Sequence, residues 1–182
     1  MWIYIILIVI VLIIIYTLTL YNSLIKLLNK VNEAFSTMDV YLKKRWDLIP
    51  NIVESVKGYA NHEKDTLTEV IRLRNSIYDD MSDSQKIKTN MQLSNQIAKV
   101  MVLAEAYPDL KANENFKDLS KQLTKVEDEI ANSRKYYNAV VKIYNNKVEI
   151  FPNNIFAKLF GYQPKSMFII NENERENVKV RL

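Results

Sequence analysis

The chain has 182 residues, with 25 Lys and Arg against 21 Asp and Glu, one His, no Cys, two Gly and four Pro, for a formal net charge of +4. Gly58 and Gly161 alone take positive φ at no steric cost, which excludes P-loops, dinucleotide-binding turns and the tight hairpins of all-β folds. Without thiols there are no disulfides, thiolate zinc sites or cysteine nucleophiles, and charges of both signs interspersed after residue 25 make the slight positive balance no argument for nucleic acid.

No charged side chain occurs from Met1 to Ile25, and residues 2–15 (WIYIILIVIVLIII) are almost wholly aliphatic. Roughly 20 apolar residues at about 1.5 Å each match a hydrocarbon core of about 30 Å, so residues 1–23 are expected to form a transmembrane anchor with the lipid bilayer as partner. Trp2, Tyr4, Tyr16 and Tyr21 suit the two headgroup interfaces, and Lys26 and Lys30 fall where anionic headgroups attract them. A cleaved signal peptide fits poorly: there is no basic n-region, the apolar run is too long, and no Ala-x-Ala-like site follows. Only the terminal amine precedes the span, whereas Lys26, Lys30, Lys43, Lys44 and Arg45 follow it. The positive-inside rule then places the amino terminus outside and the body in the cytoplasm, as a single-pass protein of the cell membrane.

Beyond the anchor the apolar pattern becomes a stripe. Leu24, Leu28, Val31, Phe35, Met38 and Leu42 alternate steps of four and three, and Trp46, Ile49, Val53, Val56 and Ala60 continue slightly rotated. The pattern predicts one helix running on through Leu67, Val70 and Ile71 to Ile77, about 80 Å from Leu24 at 1.5 Å per residue, with a kink at Pro50. Asp79 to Ser84 reads as a chain reversal. A second helix is expected from about Ser84 to Tyr107-Pro108, carrying Ile87, Met91, Ile97, Met101 and Ala104 inward, followed by a short connection. A third from about Asn113 has Phe116, Leu119, Leu123, Val126, Ile130, Ser133, Tyr137, Val140, Tyr144 and Val148 in three-four alternation and ends at Phe151-Pro152. Asn153 to Gly161 reads as a capped helical turn with Phe156 and Phe160 on one side, a candidate lid on the bundle's end. Met167 to Ile170 is a short extended apolar piece. The expected architecture is all-α: the anchor at 1–23, an elongated antiparallel bundle of long helices over 24–170, and a polar tail at 171–182.

Tyr21-Asn22-Ser23-Leu24, the run Asp39 to Val53 (DVYLKKRWDLIPNIV) and Lys57 to Glu63 (KGYANHE) together resemble the LemA family. Ala104 to Leu110 (AEAYPDL) is similar to the family's mid-chain motif. Glu127 to Ile130 with Ala131, Arg134, Tyr136, Tyr137 and Asn138 matches its last long helix, and Asn145, Phe151-Pro152 and Phe160 complete the likeness. It covers most of residues 21–170, in order. The resemblance implies a bacterial-type membrane protein with an N-terminal anchor and a helical domain, and implies no activity, cofactor or ligand residue. Phe35 stands within Ala34-Phe35-Ser36 where the family commonly has Trp, and the uncharged amino terminus differs from members that begin with lysines.

The remaining constellations carry little chemistry. His62-Glu63 with Asp65 lacks the second nitrogen or sulfur ligand a metal requires, so no metal or cofactor is expected. Lys43-Lys44-Arg45 beside Trp46 reads as a solvated helix face with Arg45 pairing to carboxylates. On a straight helix residue 44 stands about 35 Å beyond residue 21, outside the reach of headgroup charge. Glu127-Asp128-Glu129 point in different directions and read as solubilising charges, and Tyr136, Tyr137 and Tyr144 as core and edge packing.

With no nucleophile-base pair and no Gly-rich loop, the expectation is a non-enzymatic scaffold without small-molecule substrate or nucleic acid, whose heptad seams associate copies side by side into a homo-oligomer. The alternative is a membrane-anchored adaptor that binds another protein through the distal end of its bundle, near Asp79 to Ser84, and the Phe156–Phe160 cap.

Overall fold

A computed structural model describes residues 1–59, 64–74 and 78–168. Six α-helices lie among them: α1 (Trp2–Lys57), α2 (Lys64–Arg74), α3 (Asp83–Glu105), α4 (Pro108–Ala112), α5 (Glu114–Glu149) and α6 (Asn153–Leu159), with a 3-10 turn at Tyr78–Asp80 and no strand among the described residues. His62, Glu63, the side chain of Asp65, Ile169 and Ile170, and the tail at 171–182 lie outside the described residues. Packing gathers the chain into two units, Met1–Asn32 with Tyr136 onward, and Glu33–Lys135.

In the unit from Glu33 to Lys135 the stripe of α1 is the core. Phe35, Met38, Leu42, Trp46, Ile49, Ile52, Val53 and Val56 are all buried, together with Leu67, Val70 and Leu73 of α2, Leu93, Ile97 and Val100 of α3, and Phe116, Leu123 and Ile130 of α5. Pro50 does not break α1: its ring faces outward while Ile49 beside it is buried.

The expected single helix from Leu24 to Ile77 is replaced by two. α1 stops at Lys57, where Gly58 carries the largest backbone entropy cost of any residue in a helix, and the Tyr59 amide closes a last tight turn on the Val56 carbonyl at 3.0 Å. At this end Asn113, just before α5, donates to the Tyr59 hydroxyl at 3.3 Å. At the other end Tyr78 packs on Trp46 with ring centroids 5.0 Å apart and donates to Asp39. α2 therefore travels back along α1, and the Tyr78–Asp83 reversal lies beside residues 39–46, not at the bundle's far end. The adaptor expectation misplaced that segment for the same reason. The unit is an up-down-up-down bundle of four helices where three were expected. α1 and α3 run parallel, since Asp39 meets Lys86 while Arg45 meets Asn90 and Ser94.

Local signals place the later helices as expected. Ser82 and Gln85 form a reciprocal capping box at the start of α3, the Ser82 amide donating to the Gln85 side chain at 2.8 Å. The connection after Tyr107 is itself one helical turn, α4, begun by Pro108 at its first position. Asn113 then caps α5, its side chain accepting from the Phe116 amide at 3.1 Å.

In the other unit the last two turns and more of α5 face the first half of α1, with Leu20, Leu24, Val31, Tyr137, Val140, Val141, Tyr144 and Val148 buried. Just past the end of α6, Gly161 takes a φ of 77° that suits glycine, and the Tyr162 amide reaches back to the Ala157 carbonyl at 2.9 Å. The chain then runs extended along α5 in the opposite direction. Asn145 clamps both backbone groups of Lys165 at 2.8 and 2.9 Å, and Asn138 both of Phe168 at 2.8 Å each. Tyr144 donates to the Gln163 carbonyl at 3.0 Å and Tyr137 to that of Ser166 at 2.9 Å. Two Tyr-Asn pairs one heptad apart thus present one polar ladder to an extended strap. Packing alone does not describe these tyrosines.

Candidate functional site

Residues 2–16 of α1 are exposed throughout, and this is the one helix among the described residues long and apolar enough to cross a membrane. Trp2 and Tyr4 are exposed at its start. Thr17 and Thr19 return their hydroxyls to the Ile13 and Ile15 carbonyls at 2.8 and 2.9 Å, so neither is left unpaired in an apolar setting. Tyr16 and Tyr21, placed at the interface by sequence, carry α6: Tyr16 donates to Asn153 Oδ1 at 2.5 Å and meets Phe156 edge-on at 5.7 Å, while Tyr21 meets Phe160 at 5.2 Å and Tyr162 at 6.3 Å. Lys26 and Lys30 are exposed on the turns that follow. The expected lid on the bundle's end is thus a collar on the upper part of the apolar stretch. Sequence reasoning missed Asn153, Phe156, Phe160 and Tyr162 as members of this band because they lie more than 130 residues from their partners.

The second polar arrangement is internal. Arg45 is fully buried and its guanidinium gathers two helices onto α1. One terminal nitrogen donates to both Glu127 oxygens at 2.9 and 3.1 Å and to Ser94 Oγ at 2.6 Å; the other donates to the Asn90 carbonyl and Oδ1 at 2.8 Å each. Arg45 therefore does pair with a carboxylate, but inside the bundle and not on a solvated face. Glu127, expected to be a solubilising charge, is its partner. Lys43 and Lys44 keep the surface role, Lys43 pairing with Asp47 at 3.7 Å and Lys44 lying over the Tyr41 ring at 5.4 Å. A signal for Arg45 was present: steps of three and four from Leu42 land on Arg45, then on Ile49, Ile52 and Val56, which makes it an arginine in an apolar seam.

Beside this node Asp39 receives Tyr78 and Lys86, the latter at 2.8 Å, and Lys86 also lies over the Tyr78 ring at 4.8 Å. Burial, and after it the hydrogen bond to Asp39, push the Tyr78 phenol well above its ordinary range. In the unfolded chain it ionises near pH 10. Above that pH the folded state therefore holds the extra proton, so the stability due to this group is complete below about pH 10 and is lost as pH rises. Melting temperatures across alkaline pH are expected to fall more steeply for the native chain than for Tyr78→Phe; parallel curves would count against this account. The open cleft beside it, about 570 Å³, is lined by Lys43, Lys44 and Lys86 against Asp39, Asp47 and Asp83. Equal numbers of the two charges, partly paired with each other, give it no preference for anions or cations. Among the described residues no three His, Cys, Asp or Glu side chains gather to hold a metal ion.

The class defined by these features is an all-helical domain whose first helix carries an exposed apolar stretch. The sequence profile of the LemA family matches residues 34–182, and the chain belongs to that family. It is similar to Protein LemA of Metamycoplasma hominis, 26% identical over 158 residues, which is 86% of this chain and 72% of that protein. It is also similar to Magnetosome protein MamQ 2 and Magnetosome protein MamQ 1 of Paramagnetospirillum magneticum, each 30% identical over 74 residues, 41% of this chain and 27% of theirs.

Proposed function

We propose that this LemA-family chain is a non-enzymatic scaffold, anchored in the cell membrane by a single span, that self-associates there with its helical body in the cytoplasm and the amino-terminal side of the span outside. The observation that carries the reading is the exposed aliphatic stretch of α1, whose helix continues without a break to supply Leu42, Trp46 and Ile49 to the bundle core. Lys26 and Lys30, with Lys158 exposed on α6, put positive charge on the side of the body. The heptad seams that suggested side-by-side association are filled within the chain by the fourth helix, so in this reading copies meet through the aliphatic face of α1 in the bilayer. Light scattering after size exclusion in mild detergent is expected to give a defined multi-chain protein mass for the full chain, falling to one chain for a version beginning at Leu24. A single-chain mass for both would remove self-association.

That second outcome would favour an adaptor that binds another protein. The observation supporting it is the open cleft between Phe35, Lys44 and Asp83 beside the Tyr78–Asp83 reversal. The Phe156–Phe160 cap, the other surface of this reading, rests on α1 through both rings.

A further inference from the structure

α6 has two faces. Ala157 is buried, and Asn153, Phe156 and Phe160 hold the helix on Tyr16 and Tyr21 of α1. On the opposite side Ile155 is 59% and Leu159 77% exposed, one turn apart, and the approach to the helix adds Ile150 and Phe151, 57% and 74% exposed. Four large apolar side chains within ten residues stand free of the fold. Single exposed hydrophobics need no explanation, but four within ten residues do.

Their position along α1 says what covers them. Tyr16, one residue past the aliphatic run, meets Asn153 and Phe156, and Tyr21, the last aromatic before Lys26, meets Phe160. A hydrocarbon core of about 30 Å that begins at Trp2 is used up at about 1.5 Å per residue by Tyr21. α6, resting on Tyr16 to Tyr21, therefore lies in the last ~8 Å of hydrocarbon beneath the headgroups, the depth to which an amphipathic helix buries its apolar face while its flanking cations stay in the headgroup layer. Lys158 flanks the Ile155–Leu159 face, and Lys26 follows at the next turn of α1. α6 rests on α1 through Phe156 and Phe160, so a bilayer that surrounds α1 at this level also meets the outward face of α6.

We infer that residues 150–160 form a second membrane contact, a short interfacial helix that seats Ile150, Phe151, Ile155 and Leu159 in the bilayer surface beside the span. The inference rests on the reading of residues 2–15 as that span. The contact would fix the rotation of α1 about its own axis relative to the membrane plane, because only one side of the helix carries α6. A span without such a one-sided contact has its rotation set only by its interfacial aromatic and basic anchors.

The chain has no cysteine, so single substitutions give unique labels. Full-length protein would carry a nitroxide at Ile155→Cys, Leu159→Cys, Ile8→Cys or Lys121→Cys, in mixed phosphatidylcholine and phosphatidylglycerol vesicles. All four side chains are exposed, so the labels displace no packing. Oxygen and a water-soluble nickel complex then report depth. The expected result is an oxygen-to-nickel accessibility ratio several-fold higher at Ile155→Cys and Leu159→Cys than at Lys121→Cys, on the side of Ile8→Cys. Positions 155 and 159 behaving like 121 while position 8 stays deep would overturn the inference and leave the span standing. Position 8 behaving like 121 would overturn both. Positions 155 and 159 shielded from both reagents would overturn it in favour of a protein cover, such as a second copy.

Discussion

Arg45→Ala is expected to destabilise the chain by about 3–5 kcal/mol, a large share of the total stability of a domain this size. The substitution leaves Glu127 without its cation and takes the guanidinium from the Asn90 Oδ1, while the Asn90 carbonyl keeps the Ser94 hydroxyl at 3.1 Å. Glu127→Gln is expected to cost less, because Glu127 is 34% exposed and the amide oxygen still accepts from the guanidinium. Arg45→Lys should rescue little: an ammonium is a compact charge and cannot reach three acceptor groups with a planar fork. Denaturant unfolding of the full chain in detergent, followed by helical circular dichroism, separates these cases. A loss below about 1 kcal/mol for Arg45→Ala would mean the pair behaves like an exposed ion pair, and the buried network would then carry no stability.

The same layer is expected to set register. Arg45 of α1, Asn90 and Ser94 of α3 and Glu127 of α5 occupy or flank seam positions in otherwise apolar stripes, and all four meet at one level of the bundle. Slipping any helix by a turn would bury a charge without its partner, so one alignment is favoured over its neighbours. Arg45→Met with Glu127→Leu should accordingly recover much of the stability lost in Arg45→Ala while weakening the penalty for slipped packing.

This layer also shows what was legible in the sequence and what was not. The stripe of α1, the helix start near Ser84, the stop at Tyr107-Pro108 and the three-four rhythm of α5 depend on neighbours within a few residues, and each stands in the structure within a residue or two of where the pattern puts it. Helical periodicity carries no direction, however. Leu67, Val70 and Leu73 keep the spacing of α1 although α2 travels the opposite way, and only Gly58 marked the reversal. A charged residue in a seam likewise has two outcomes, solvation by rotation of the stripe or burial with a partner. Glu127 decides between them from 82 residues away. The α6 collar is harder still, since Tyr16 and Asn153 are 137 residues apart and neither belongs to a motif.

The larger test concerns the span itself. Ile3, Ile5 to Ile15 contribute twelve aliphatic side chains, and at roughly 0.3–0.6 kcal/mol each their insertion is favourable by about 4–7 kcal/mol. Lys at the centre of a span costs about 2.5–3.5 kcal/mol, so Val9→Lys with Leu12→Lys erases the whole of that preference and also removes two of its contributors. The doubly substituted chain is expected to leave the alkaline-carbonate-resistant membrane fraction, in which the native chain stays. Leu18→Lys is expected to remain there, because a lysine near the end of the span extends its amine to the headgroups. A single Leu12→Lys set beside Leu18→Lys compares depth with the charge held equal, since the leucines at positions 12 and 18 are equally exposed. If both variants stay in the membrane fraction, the aliphatic face of α1 is held there by protein and not by lipid, and the bilayer contact of α6 loses its footing with it.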